Sequence, residues 1–177
     1  MSALTRSPQN TNLLQPTKFL LVFNRIGTVQ YFCQSVNVPS IRLGEVTRTT
    51  PFLDMYSPGT KLDYSTLDIE FIVDEELQTW KNLYNWFISI ADPNGFEKRT
   101  YKEELQRSEH FSDATLTIMS NLNNPLLRIQ FRNLFPITMG DINFDTRLSA
   151  DNIVTVPASF RYESYTYLTM WCKSFIM

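Results

Sequence analysis

A single switch of hydrophobic period constrains this chain more than anything else in it. Across residues 57–92, a Pro58-Gly59 turn opens a run in which Leu67, Ile69, Phe71 and Val73 alternate with Asp68, Glu70 and Ile72. Alternation of this kind puts one face of a β-strand against a core. At Asp74 the spacing changes to threes and fours, so that Leu77, Trp80, Tyr84, Phe87, Ile88 and Ala91 share one helical stripe. Asp74 is placed to cap the helix, and Glu75 and Glu76 set negative charge at its positive end. Pro93-Asn94-Gly95 stops it. A strand therefore feeds directly into one amphipathic helix, whose Leu77, Trp80, Tyr84 and Phe87 are expected to pack on the core. The remaining segments read as strands for that helix to cover.

Residues 1–15 are polar and offer little to bury, which predicts a flexible arm. The run FLLVF at 19–23 reads as a strand buried on both faces, with 29–36 as a second strand completing an N-terminal hairpin. Residues 41–62 lack a clear period, and so long a structureless loop is unusual in a compact domain. Either a floppy insertion or a hairpin that leaves the body accounts for the segment. Phe52, Leu53, Met55 and Tyr56 favour the hairpin, because large side chains on a loop call for a partner surface. The charged residues 96–113, with the lone His110, read as a solvated loop or short helix. Residues 114–119 and 126–131 form the clearest β-hairpin, joined through the turn Asn121-Leu122-Asn123-Asn124-Pro125. A bend formed by Leu134-Phe135-Pro136 together with the Met139-Gly140-Asp141 turn, an alternation at Ile142 and Phe144, and a final strand over 153–165 follow. Pro157 within that strand demands an edge position or a bulge. The apolar tail at 167–177 is expected to dock somewhere. The fold class is mainly β (α+β): an antiparallel β-barrel or sandwich at 16–166 with one flanking amphipathic helix and a long hairpin loop.

With 177 residues, 43% of them hydrophobic, the chain is long enough to bury a core as one domain. A formal charge of -2 excludes a general nucleic-acid binder, though not a channel through which DNA passes without sticking. Cys33 and Cys172 form neither a zinc motif nor a redox pair, which fits assembly in a reducing cytoplasm. No apolar run reaches transmembrane length, and the polar start lacks the apolar stretch of a signal peptide. There is one histidine and no nucleophile elbow, phosphate loop, dinucleotide fingerprint or metalloprotease helix, so neither catalysis, a metal nor a cofactor is expected. Asp74, Glu75 and Glu76 are explained by the helix start, and Arg128 and Arg132 by the outward face of a strand.

In combination, five segments resemble the tail-tube protein family of contractile-tailed bacteriophages. They are PTKFLLVF, PFLDMYSPGTKLDY, LDIEFIVDEELQTWKNLYNWF, LFPITMGDINFD and VTVPASFRYESY. The resemblance implies a hexameric ring around a lumen for DNA in transit, inside a sheath, in a virion tail assembled in the host cytoplasm. It also implies that the long loop, with Phe52, Leu53, Met55 and Tyr56, reaches an adjacent subunit or ring. The implied partners are further copies of the chain and neighbouring tube, sheath, neck or baseplate proteins, without a membrane. The polar arm, the charged segment and the apolar tail depart from a plain repeating subunit. They favour a ring that completes the tube over the major tube subunit or a baseplate-proximal initiator. A monomeric β-barrel binding module is the alternative from another class.

Overall fold

The computed structural model describes residues 12–91, 110–147, 149 and 152–169. Its strands are β1 (Phe19–Phe23), β2 (Cys33–Val36), β3 (Ile41–Thr49), β4 (Asp54–Tyr64), β5 (Leu67–Ile72), β6 (Ser112–Met119), β7 (Pro125–Met139), β8 (Thr155–Arg161) and β9 (Ser164–Thr169). A one-turn helix, α1 (Val29–Phe32), precedes β2, and the main helix is α2 (Gln78–Ile90).

The long β7 serves two sheets. Its first half pairs with β6 and β9, its second half with β8, and all pairings are antiparallel. β1 extends the first leaf beyond β6; β5 and then β2 extend the second beyond β8. The result is a sandwich of two leaves, and among the described residues the strands do not close into a barrel. The handover falls at Asn133, whose φ of 51° lies in the left-handed region that asparagine tolerates better than most residues. Its backbone N–H donates to Asp113 Oδ1 at 3.1 Å, its side-chain amide donates to the Glu163 carboxylate, and the Glu163 N–H donates to the Arg132 carbonyl at 3.1 Å. The bend is thereby pinned to β6 on one side and to the β8–β9 corner on the other.

Between the leaves lies an aromatic core. Leu67, Ile69 and Phe71 of β5 are buried as their alternation predicts, together with Phe131, Leu21 and Leu116. Phe23 and Phe160 meet across the core with ring centroids 5.2 Å apart. The β6–β7 hairpin forms as expected. Pro157 is accommodated because the β7 ladder ends beside it: the Gly140 N–H donates to the Pro157 carbonyl at 2.7 Å, so the proline's missing donor faces the end of β7. A Cβ on Gly140 would lie 2.6 Å from the Pro157 ring, which is why a glycine follows the strand.

Four local expectations are corrected. Residues 29–36 do not form a hairpin with β1: the first half coils into α1, and β2 joins β5 in the other leaf while β1 joins β6. A strand's pattern reveals its buried face and not its partner, so adjacency in sequence misleads here. Ile142 and Phe144 lie in an irregular loop, with Phe144 exposed. The final strand breaks at Tyr162 and Glu163 into β8 and β9, following the bend of β7.

The fourth correction concerns the phase of α2. Its buried side chains are Thr79, Leu83 and Trp86, with Phe87 and Ile90 packed partly against the core. Of the expected core stripe, Leu77 and Trp80 are only half-buried and Tyr84 is 45% exposed. Trp80 and Tyr84 instead stack flat on each other, ring centroids 5.3 Å apart. Two neighbouring stripes of this helix are apolar, and tertiary contacts choose between them. Trp86 finds a partner for its indole N–H in the His110 carbonyl at 2.9 Å, packs on Phe160 with centroids 6.0 Å apart, and is overlain by the Arg25 guanidinium. The lone histidine thus serves the fold through its backbone; the charged residues 92–109 before it, the first eleven residues and residues 170–177 lie outside the described chain.

The helix also starts later than its pattern implies, at Gln78, after Leu77 adopts a left-handed φ of 56°. Asp74 still caps it, because the intervening turn folds back and its carboxylate accepts the Gln78 and Thr79 N–H groups at 3.0 and 3.3 Å. Burial pulls this carboxyl upward, but the two amide hydrogen bonds and nearby Lys81 outweigh it and hold it below the usual aspartate value.

Two predictions follow from α2. Trp86→Ala is expected to destabilise the fold by about 3–5 kcal/mol and Trp80→Ala by about 1 kcal/mol or less, as measured by urea unfolding. Asp74→Ala should cost about 1 kcal/mol at neutral pH. Since the native carboxyl titrates below its unfolded value, that contribution is complete above the unfolded value and is lost as pH falls through the native one. The stabilities of Asp74→Ala and the parent should accordingly converge in acid.

Candidate assembly surface

The segment without a clear period is a ribbon. β3 and β4 pair only with each other among the described residues and stand apart from the sandwich. Nine residues of β3 at about 3.3 Å each give an arm of roughly 30 Å. Its tip is closed by Thr50, whose N–H donates to the Leu53 carbonyl at 3.2 Å and whose Oγ1 accepts the Leu53 N–H at 3.1 Å. Pro51 and Phe52 thus occupy the turn, and Phe52 is 99% exposed. Leu53, Met55, Tyr56, Ile41, Leu43, Val46 and Leu62 are also exposed on the arm. A two-stranded ribbon is marginal by itself, and large apolar side chains displayed together mark a surface meant to be covered.

The ribbon is bent. Its register slips between Leu43 and Glu45, so that Gly44 lies opposite the Gly59-Thr60-Lys61 stretch. A Cβ on Gly59 would stand 2.7 Å from the Gly44 carbonyl oxygen, a contact that only glycine avoids without moving the backbone. The Pro58-Gly59 pair that reads in sequence as the start of a strand is therefore the middle of one, at its bulge.

At the root, both legs of the arm are tied down. Ser40 and Ser65 join the legs to each other, through the Ser65 N–H to the Ser40 carbonyl at 3.1 Å and the Ser40 N–H to Ser65 Oγ at 2.8 Å. Asn37 bridges β2 to β5 by accepting the Asp68 N–H at 2.7 Å. Tyr162 and Tyr165, from the β8–β9 corner, donate to the Ser65 and Pro39 carbonyls. Burial first, then the neighbouring tyrosines, raises both phenols above their ordinary value, so each stays a protonated donor at neutral pH.

Phe52, Leu53, Met55 and Tyr56 thus cluster at the distal end of the arm, whereas Trp80, Tyr84 and Phe87 lie on α2 and Leu77 immediately before it, away from the arm in the chain's topology. Further apolar groups are exposed: Tyr167 and Leu168 on β9, within the tail expected to dock, and Phe144 in the β7–β8 loop and Tyr84 of the Trp80–Tyr84 stack, which sequence reasoning did not place on the surface. Their periodic spacing, by twos at Phe144 and by fours on the helix, is the same signal that marks a core face. Among the described residues β1, β2 and β9 each pair on one side only, leaving edges open for further strands.

Small-molecule chemistry finds little purchase. A hollow of about 410 Å³ is lined by Arg25 and Asp113, but Arg25 covers Trp86 and Asp113 accepts the Asn133 N–H. Cys33 is half-buried, and burial pushes its thiol up to about 11, which makes it a poor nucleophile. Among the described residues no cluster of His, Cys, Asp or Glu has the makings of a metal site, and no helix is long and apolar enough to cross a membrane.

A sandwich that holds an apolar ribbon away from its own core belongs to the class of proteins that pack against other subunits. The chain is a member of the phage tail tube protein family, whose model matches residues 10–168, and it is accordingly a structural component of the virion tail. It is 26% identical to the tail tube terminator protein of Enterobacteria phage T4 over 158 residues, 85% of this chain and 86% of that protein. Its fold is similar to the tube-terminating cap of the anti-feeding prophage, with a TM-score of 0.66 at 14% identity, covering 96% of this chain and 99% of the other. It is also similar to the sheath/tube terminator of the PVC extracellular contractile injection system, with a TM-score of 0.62 at 14% identity, covering 90% and 100%.

The bulge yields a test of the arm's shape. Gly59→Ala should leave the melting temperature of the sandwich within a few degrees of the parent, a cost of about 1 kcal/mol or less to the body. It should alter the amide chemical shifts of β3 and β4, and a spectrum unchanged there would contradict the close Gly44 contact.

Proposed function

We propose that the chain forms a hexameric ring that terminates the tail tube, stabilises the sheath and lines the channel through which DNA leaves. Likeness in sequence to a tail tube terminator over most of both chains carries this reading. The apolar arm supports it, since a ring needs each subunit to cover a neighbour's exposed surface, and the open edges of β1, β2 and β9 supply places for strands to join. Phe52, Leu53, Met55 and Tyr56 are the inter-subunit contact residues. The partners are further copies of the chain together with the neighbouring tube and sheath proteins. DNA is a passenger: a net charge of -2 gives no general affinity for phosphate along the channel.

Negative-stain microscopy across a range of concentrations distinguishes the arrangements. Discrete sixfold rings that never lengthen are expected. Growing tubes would identify a repeating subunit, and monomers that ignore both concentration and purified tube would identify a binding module. Phe52→Ala is expected to melt like the parent while raising the concentration needed for rings about tenfold or more, the equivalent of one buried phenylalanine side chain. If the Phe52→Ala monomer unfolds, the tip is part of the core and the assignment fails.

A further inference from the structure

A two-stranded ribbon joined to its body by two single-chain legs swings about the backbone torsions of those legs. The bonds between Ser40 and Ser65 tie leg to leg and do not by themselves tie the pair to the sandwich. What stops the pivot comes from elsewhere in the chain. Tyr162 Oη donates to the Ser65 carbonyl at 2.9 Å on the outgoing leg, and Tyr165 Oη to the Pro39 carbonyl at 3.3 Å on the incoming leg. Pro39 is itself buried. Tyr64, the last residue of β4, packs its ring against both tyrosines at 6.0 and 5.3 Å, and the Arg161 guanidinium donates to its carbonyl at 3.1 Å. Beneath them lies Phe131, fully buried, with its centroid 5.1 Å from Tyr162 and 5.7 Å from Tyr165.

Phenylalanine at either position would fill nearly the same volume and keep the ring contacts. The hydroxyls therefore add something packing does not require: an anchor on the incoming leg and a second, beside Arg161, on the outgoing one, both from a corner held by the core. A single anchor leaves a hinge, and two anchors on opposite legs remove it. We propose that Tyr162 and Tyr165 are positioning residues that fix the direction of the arm in the single chain before it meets a neighbour. The inference rests on the arm being the inter-subunit contact, and it assigns what sets that contact's geometry. A pre-set arm loses less freedom on docking than one that must be ordered at that moment, so the clamp favours assembly through pre-organisation.

Distances measured in the dilute single chain test this. Spin labels on Asp54→Cys near the arm tip and Leu122→Cys at the β6–β7 turn, with Cys33 and Cys172 replaced by serine, should give one narrow distance distribution. In the double variant Tyr162→Phe and Tyr165→Phe the distribution should broaden to about twice its width, and the concentration needed for rings should rise about tenfold, with the far-ultraviolet circular dichroism unchanged. A distribution equally narrow in the double variant overturns the clamp, and so does a parent arm that is already broad. Should the double variant fail to fold, Tyr165→Phe alone, at the less buried of the two positions, is read by the same distances. A broadened arm in a chain that forms no rings supports the clamp and counts only against the proposed function.

Discussion

The left-handed turn at Asn133 is the constraint on which the rest of the structure depends. It lets one strand leave its first leaf and enter the second without ending, so the two leaves share a backbone as well as a core. The neighbouring chain must follow, which is why β8 gives way to β9 at Tyr162 and Glu163. Glu163 and Asp113 hold the turn from both sides. Strands that switch sheets at such a corner are the usual means of folding one antiparallel ladder over on itself. Here the corner also presents the two tyrosines to the root of the arm.

The distribution of apolar surface follows from that arrangement. The sandwich is closed by α2, whose Leu83 and Trp86 complete the core around Phe160. Once that helix is seated, its second aromatic stripe is left outside, and the Trp80–Tyr84 stack limits the cost by covering one ring with the other. The arm, by contrast, packs Tyr64 at its root against the body and leaves the large side chains further out exposed. A chain that withholds this much apolar surface from its own core gives up stability as a monomer, and in the proposed ring the loss would be recovered when another subunit takes up that surface.

The core and the exposed ribbon are thereby separated in space. Residues that stabilise the single chain lie between the leaves and under α2, while those we propose to meet other subunits lie on a ribbon with its own turn, its own bulge and two anchored legs. Gly44 and Gly59 bend the ribbon at a point where no side chain fits, and the tyrosine pair sets where that bend points. Shape at the tip is thus inherited from contacts several strands away in sequence.

How much of this was legible beforehand depends on the range of the interaction involved. Local patterning identified β1, β5, β6 and the first part of β7, and the change of period at Asp74 located the helix and its capping residue. The large side chains of residues 41–62 marked a hairpin that leaves the body, and the shared segments pointed to the phage tail tube family. These are properties of a few neighbouring residues, and a sequence displays them directly. The partners of β1 and β2 were not legible, because adjacency in sequence suggested that they pair and only the completed leaves show that they part company. The buried stripe of α2 was not legible either, since two adjacent stripes are apolar and the choice fell to a carbonyl of His110 some distance along the chain. The clamp at the arm's root joins residues roughly a hundred positions apart, and only the folded corner brings those hydroxyls within reach of the carbonyls they hold.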